Sequence, residues 1–214
     1  MKISNNKKIS GIFDFLFIAE NLKNTERWIS VKGLKKRESS ADHSWKMSLM
    51  TMIVNTEFDF NVDKVKVLKM SVVHDLVEAI TGDIDYYLIS TGAVSSKQKV
   101  ENELKAIKEI RKMLPSKIGS EIYDLWHEFE EAKSIDARFS KAIDRLETMS
   151  HYLSFSLDGP DKTKNWGPNL QATYGDKALL EFPQLLPFLR EIKHRLRKRY
   201  EKAGIKWFKE YDAV

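Results

Sequence analysis

The sequence contains no cysteine among its 214 residues. This absence excludes disulfide bonds, thiol nucleophiles and cysteine-ligated zinc or iron–sulfur sites. Glycine and proline are scarce, with 9 and 5 residues, and an all-β fold needs more turn residues than that. No apolar run approaches the roughly 18 residues of a membrane span, and the N-terminus lacks the pattern of a secretory signal peptide. We therefore expect a helical, cytoplasmic protein without a membrane segment.

The composition is that of an ordinary globular domain. Hydrophobic residues make up 42% of the chain and charged residues 31%, so the chain has enough apolar side chains to form a core. A length of 214 residues suits one compact domain better than two. We predict a single domain over residues 1–214, with its core at about 10–153, a loop at 154–174 and a C-terminal helix.

Apolar residues recur at helical spacing along most of the chain, which predicts an all-α helical bundle. Helices are predicted over residues 10–23, 43–58, 61–80, 96–114, 118–131 and 135–153. A last helix is predicted to begin at 176 or 187 and to end at 202. Asn61 is the predicted N-cap of the third helix. The stretch 154–174 holds two Gly-Pro pairs and is predicted to be a loop whose Trp166 can close over a site.

The predicted helix over residues 62–80 carries the first indication of chemistry. Its apolar residues spread around the whole circumference, which is typical of a buried helix. Its last two turns nevertheless contain His74, Asp75 and Glu78. Buried charge is costly unless it is paired or bound to a metal, and Glu78 lies one turn beyond the other two on the same side. These residue types predict a metal site, because imidazole and carboxylate suit first-row metals.

Further ligands are needed, because two side chains do not hold a metal tightly. His43 begins one predicted helix, and Asp144 lies mid-helix among apolar neighbours. Each of these residues alone has a plain alternative as a helix-start or solvated residue, and only their combination with the His-Asp pair indicates a site. The three other histidines, His127, His151 and His194, are predicted to be ordinary, with His151 a weaker candidate for supporting the ligands from behind.

The net charge of +5 is concentrated partly in the basic stretch at residues 193–199. Such a stretch can bind nucleic acid or steer an anionic substrate, or it can be a solvated helix end, where cations are favoured. We favour the helix end, because no aromatic residues are interleaved with the basic ones. A nucleic-acid partner is therefore not expected.

The order His … His-Asp … Asp resembles the metal signature of the HD-domain superfamily. Four segments resemble its 5′-deoxynucleotidase branch in particular, which hydrolyses deoxynucleoside monophosphates. They are Arg27-Trp28 with residues 38–44, then residues 74–84, 125–131 and 141–147. This resemblance implies an HD-domain helical bundle and a phosphohydrolase that binds one divalent metal. The metal ligands it implies are His43, His74, Asp75 and Asp144.

The resemblance also implies roles for four further residues. Glu78 would orient the attacking water and take its proton, and Asp83 would act at the leaving oxygen or the sugar end. Arg27 would hold the phosphate, and Trp28 would line the nucleoside pocket. The alternatives are a surface cation for Arg27, a core aromatic for Trp28 and a helix-end residue for Asp83. Glu128 is left out of the catalytic set.

The ligand set does not fix the metal, which can be Co²⁺, Mn²⁺, Zn²⁺, Fe²⁺ or Ni²⁺. A single ion is predicted, because a second would need more histidines. Other HD activities remain alternatives, namely hydrolysis of phosphodiesters, nucleoside triphosphates or a guanosine alarmone. So does a non-catalytic, metal-dependent nucleotide sensor. The resemblance suggests a homodimer, for which the aromatic-rich first helix could supply the interface.

Overall fold

The computed structural model of the protein describes residues 2–30, 37–84, 88–89, 92–154 and 166–214. The described chain is mostly helical, which confirms the predicted all-α class. Short 3₁₀ segments lie at Glu20–Lys23, Pro183–Leu185 and Lys209–Asp212. The helices are α1 (Lys2–Ala19), α2 (Ser40–Glu57), α3 (Lys64–Val73), α4 (Glu78–Thr81), α5 (Ser96–Met113), α6 (Ser116–Glu131), α7 (Ile135–Tyr152), α8 (Trp166–Thr173), α9 (Asp176–Leu179) and α10 (Leu186–Lys202).

A short antiparallel hairpin, which the sequence did not predict, connects α1 to α2. It consists of β1 (Glu26–Ser30) and β2 (Arg37–Ser39), and Glu26 pairs with Ser39. The amide of Ser40 donates to the carbonyl of Thr25 at 2.9 Å. The hairpin therefore places the strand β1 beside the first turn of α2.

A capping box fixes the start of α2. The Ser39 hydroxyl accepts from the Asp42 amide, and the Asp42 carboxylate accepts from the Ser39 amide, both at 3.1 Å. This reciprocal pair satisfies two backbone donors that have no partner within the helix. Because Ser39 is the cap, α2 begins three residues before His43, which therefore lies in its first turn.

The predicted helix over residues 61–80 is corrected in two respects. Its N-cap is Asp63 and not Asn61, because the Asp63 carboxylate accepts from the amides of Val65 and Lys66 at 3.0 Å. The α-helix ends at Val73, and the backbone tightens through residues 74–77 before α4. There the hydrogen bonds run three residues back, as from Leu76 to Val73 at 3.1 Å and from Glu78 to Asp75 at 2.9 Å. Such 3₁₀ geometry inside a helical run often accompanies a functional site.

That segment is also less buried than its composition predicts. Val65, Val72 and Ile80 are exposed, whereas Val67, Met70 and Val73 are buried. The apolar residues around its circumference thus divide between the core and the surface.

The helix α7 lies at the centre of the fold and packs against α2, α3, α6, α9 and α10. Its side chains Phe139, Ile143 and Met149 are fully buried. The Phe139 ring contacts Phe60 and Phe182, with centroids 4.7 and 5.3 Å apart. The core therefore holds the helix that carries Asp144 firmly against α2 and α3.

The apolar stripes that predicted α1 and α2 do not face this core. On α1, Phe13 and Phe17 are exposed, and Phe17 has 67% of its surface accessible. On α2, Trp45 is 69% accessible and Met52 is also exposed. The core-facing side of α2 instead carries less conspicuous residues, namely His43, Met47, Thr51 and Val54.

The predicted loop over residues 154–174 is wrong for its second half, which forms α8. The Gly167-Pro168 pair does not prevent this helix, because proline is tolerated in a first turn, where its missing N–H has no partner to lose. Residues 155–165 and the Trp166 side chain lie outside the described part of the structure. Among the described helices, none has the length and apolarity that crossing a membrane requires.

Candidate metal centre

The four predicted metal ligands converge from three separate parts of the fold. His43 comes from the first turn of α2, His74 and Asp75 from the tightened backbone after α3, and Asp144 from α7. The Nε2 atom of His43 lies 3.2 Å from Asp144 Oδ1 and 3.8 Å from Asp75 Oδ2. The Nε2 atom of His74 lies 3.2 Å from Asp75 Oδ2. Ligand atoms of His43, His74 and Asp75 all fall within 4.8 Å of one another.

The orientation of the two imidazoles fits a metal at this point. The Nδ1 atom of His74 contacts the carbonyl oxygen of Ser71 at 3.0 Å, and since a carbonyl only accepts, Nδ1 carries the proton. The Nδ1 atom of His43 contacts a carboxylate oxygen of Glu147 at 2.5 Å. The Nε2 atoms of both rings point to the centre, where they are buried without a hydrogen-bond partner. Unpartnered buried polar atoms are costly, and a metal would satisfy both.

The charges around the centre suit a cation. Burial acts to raise the pKa of Asp75, but His74, His43 and Arg27 hold it well below its ordinary value. Burial likewise opposes ionisation of Asp144, but the neighbouring His43, together with Arg145 and His74, holds its pKa far below the usual range. Both carboxylates are therefore ionised at neutral pH, as metal ligands must be.

In the protein without a metal the pKa of His43 is raised, whereas the pKa values of Asp75 and Asp144 are lowered. Burial and the charge of Arg27 act to lower its pKa, but Glu147 and Asp144 raise the pKa of His43 to about 10. Its ring is then protonated at neutral pH. A metal that binds here must displace this proton, because a ligating imidazole is neutral.

Glu78 is buried at the start of α4, beside the centre. Its carboxylate accepts from the Ser40 hydroxyl at 2.5 Å, which fixes its orientation. Burial, together with the charges of Asp75 and Asp83, raises the pKa of Glu78 well above its ordinary value. Asp83 follows Gly82, whose φ of 72° ends α4, and its charge also acts on Arg27. Glu78 thus lies within electrostatic reach of the ligand Asp75, and Asp83 lies within electrostatic reach of Glu78 and Arg27.

Arg27 reaches the centre from β1, so the structure does not place it as a free surface cation. Its Nη1 atom lies 3.2 Å from Asp75 Oδ2, and its Nε atom lies 3.3 Å from Glu38 Oε2. Burial acts to lower the pKa of Arg27, but Asp75, Asp144 and other carboxylates raise it, so the guanidinium is charged. Trp28 follows in the same strand, and its side chain lies outside the described part of the structure.

A second set of buried charges lies behind the ligands, and the sequence predicts no catalytic or ligand role for it. It comprises Glu38, Glu147 and His151, whose carboxylate and ring atoms lie within 4.8 Å of one another. His151 Nδ1 contacts Glu38 at 3.0 Å, and Lys46 contacts Glu147 at 2.7 Å. Because Arg27 and Lys46 supply positive charge to these carboxylates, we interpret the set as an ion-pair network.

A sequence signal for Glu147 existed, since it follows Asp144 by three residues and shares its helix face. No such spacing pointed to Glu38, because its partners Arg27 and His151 lie on other elements, β1 and α7. His151 is buried, and its role as support from behind the ligands stays a prediction.

The remaining candidates lie away from the centre. His194 is exposed and His127 is half-buried, and His127 lies 3.7 Å from Glu131 on its own helix. Glu128 is engaged by Lys66 at 2.6 Å and by Ser134 at 2.5 Å.

The basic stretch at the end of α10 is largely paired. Arg195 contacts Glu191 at 2.6 Å and Arg197 contacts Glu201 at 2.9 Å, both on the same helix. Lys193 is buried and donates to Asp176 at 2.8 Å. This pairing supports the interpretation of the stretch as a helix end.

Residues 19–175 match the HD domain family. The chain belongs to the HD domain family. This HD-domain protein is 33% identical over 146 residues to a 5′-deoxynucleotidase of Dictyostelium discoideum, which covers 65% of the chain and 74% of the relative. It is 34% identical over 157 residues to a 5′-deoxynucleotidase of Schizosaccharomyces pombe, covering 71% of the chain and 75% of the relative.

Solved structures have the same fold. A predicted metal-dependent phosphohydrolase from Magnetospirillum magnetotacticum superimposes with a TM-score of 0.69 at 23% identity, covering 94% of this chain and all of the other. A protein from Pyrococcus horikoshii superimposes with a TM-score of 0.64 at 26% identity, covering 86% of this chain and 99% of the other. The predicted HD-domain bundle is thereby confirmed, while the extent of a single domain over residues 1–214 stays a prediction.

Proposed function

We propose that this HD-domain protein is a metal-dependent phosphohydrolase that converts deoxynucleoside 5′-monophosphates to nucleoside and phosphate. The observation that carries the proposal is the pair of buried imidazole Nε2 atoms, without hydrogen-bond partners, that face two ionised carboxylates. His43, His74, Asp75 and Asp144 are the proposed ligands. The names of the relatives as 5′-deoxynucleotidases support the choice of substrate.

The proposed mechanism assigns one task to each neighbouring side chain. A divalent cation held by these four ligands would supply Lewis acidity, which would polarise a phosphate oxygen and make a nearby water more acidic. Glu78 orients the attacking water and takes its proton, for which its raised pKa is suited. Water oxygen bonds to phosphorus while the bond to the sugar 5′-oxygen breaks. That oxygen takes up a proton from solvent and leaves as the nucleoside hydroxyl, and Glu78 returns its own proton to solvent.

Arg27 stabilises the negative charge that develops on the phosphate. Its guanidinium already lies 3.2 Å from Asp75, so it is positioned at the edge of the centre before substrate binds. A planar guanidinium can hold two phosphate oxygens at once. Asp83 is assigned to the leaving oxygen or the sugar end, and Trp28 to the nucleoside pocket.

The test is phosphate release from deoxynucleoside and ribonucleoside monophosphates by protein that has been stripped of metal and resupplied with Co²⁺ or Mn²⁺. We expect release that favours the deoxy substrates and disappears in Asp75→Ala. The matched control is Asp124→Ala, which removes an exposed carboxylate on α6 and should leave activity unchanged. Release from phosphodiesters, triphosphates or a guanosine alarmone alone would replace the substrate assignment. Nucleotide binding would favour the non-catalytic sensor if none of the five metals supported hydrolysis.

The partner proposed for this protein is a second copy of the chain. The exposed stripes on α1 and α2 include Phe13, Phe17, Trp45 and Met52. Large apolar patches of this kind usually contact another protein, and the resemblance suggests a homodimer. Cytoplasmic location likewise stays a prediction.

A further inference from the structure

We propose that Glu147 is a positioning residue that holds the His43 imidazole with its Nε2 lone pair directed at the metal site. The inference rests on the proposed metal-dependent function. It starts from one contact, in which His43 Nδ1 lies 2.5 Å from Glu147 Oε2. Both side chains are completely buried, so solvent does not compete for this contact.

The Glu147 carboxylate is itself held in place from the other side. Lys46 lies 2.7 Å from its second oxygen and donates to the Ser150 hydroxyl at 2.9 Å. That hydroxyl in turn donates to the Glu147 carbonyl at 2.7 Å. A buried carboxylate is costly without compensation, and Lys46 and His43 together provide it. The result is a rigid acceptor directly behind one ligand.

The Glu147 carboxylate fixes the tautomer of the His43 imidazole. An ionised carboxylate only accepts hydrogen bonds, so the Nδ1 atom of His43 must carry the hydrogen. In the neutral ring the lone pair then lies on Nε2, the atom that faces Asp144 at 3.2 Å. The negative charge behind the ring also makes Nε2 a stronger donor to a metal.

The second histidine provides a comparison within the same site. His74 Nδ1 faces the neutral carbonyl of Ser71 at 3.0 Å, which fixes the same tautomer without adding charge. Glu147 therefore makes His43 the more strongly donating of the two imidazole ligands. A purely structural ion pair would contribute to folding but would have no effect on metal affinity.

The experiment compares the metal affinity of wild type, Glu147→Gln and Glu147→Asp, measured with Co²⁺ in competition with a chelator. In Glu147→Gln, either the amide nitrogen faces Nδ1 and favours the wrong tautomer, or the amide oxygen faces it without the charge. We expect Kd to rise by about 10- to 100-fold, which is typical when such a supporting partner is lost. Glu147→Asp keeps the charge but withdraws it by one methylene, so an intermediate Kd is expected.

The visible spectrum of bound Co²⁺ provides a readout that a merely structural role would not move. We expect its bands to shift in Glu147→Gln, because the donor strength of one ligand has changed. The matched control is Asp176→Asn, which disrupts the ion pair with the buried Lys193. It should lower stability while leaving Kd and the Co²⁺ spectrum unchanged.

The outcomes distinguish a failure of the proposed metal site from a failure of the positioning role of Glu147. If the wild type binds no divalent metal, the proposed metal site fails and the role of Glu147 fails with it. If the wild type binds Co²⁺ but folded Glu147→Gln keeps Kd within about two-fold and an unchanged spectrum, only the positioning role is refuted. If Glu147→Gln does not fold, the same criteria apply to Glu147→Asp, and a wild-type Kd and spectrum there would refute the role.

Discussion

Metal binding should raise the thermal stability of this protein, because the ligands converge only in the folded chain. His43, His74 and Asp144 come from three separate elements, so the unfolded chain offers no preformed site and binding energy becomes folding energy. A ligand that binds only the folded state stabilises it by RT ln(1 + [L]/Kd), which is about 2.7 kcal/mol at roughly 100 times Kd. For a domain of this size each kcal/mol raises Tm by roughly 2–4 °C, so we expect a rise of about 5–10 °C.

The assay is thermal unfolding of chelator-treated protein, with and without Co²⁺ or Mn²⁺. The His74→Ala variant should lose the metal-induced rise, whatever its Tm without metal. The control is His127→Ala, which removes a half-buried histidine that contacts Glu131 on its own helix and should retain the full rise. An unmoved Tm in the wild type with all five candidate metals would refute the reasoning. So would an equal rise in His74→Ala.

Four further predictions concern catalysis, its pH dependence, stability and assembly. Glu78→Gln should keep the metal-induced rise in Tm but lower kcat for phosphate release by about 10²- to 10⁴-fold, and retained turnover would remove Glu78 from the mechanism. Glu78 must be deprotonated to act as a base, and its pKa is raised above the ordinary value for a glutamate. The pH–rate profile of the wild type should therefore fall on its acid side at a pH above that ordinary pKa. Phe139→Ala should lower the free energy of unfolding by about 3–5 kcal/mol, because this fully buried ring contacts Phe60 and Phe182. Urea unfolding measures the loss. A loss below about 1 kcal/mol would contradict the central packing of α7. Phe17→Glu should convert a dimer to a monomer in light scattering with unchanged helicity, and a monomeric wild type would refute the dimer.

The residues of the candidate site could be predicted from the sequence because they are unusual for where they stand. His74 and Asp75 are ionisable residues in an apolar helical run, and Asp144 lies among apolar neighbours. Such placement needs compensation, and their order matches a family signature. Their convergence was an inference from that signature, and the structure brings the four side chains together.

The apolar stripe that predicted α2 does not face the core. Trp45 and Met52 are among the most conspicuous apolar residues of α2, yet they are exposed, while Met47 and Thr51 face the core. Helical periodicity identifies an apolar stripe but does not say what covers it. The apolar stripe on α2 is therefore available to another molecule, whereas the core packs against the side of α2 that carries Met47 and Thr51.

The sequence by itself determined the helical class and the absence of cysteine chemistry, because both follow from composition and local spacing. It also predicted the candidate metal ligands, because their order along the chain resembles a family signature. Only the tertiary structure decided the supporting contacts, such as Glu147 behind His43 and Glu38 beside His151. These pairs join elements distant along the chain, and their geometry depends on how α2, α7 and the hairpin pack together.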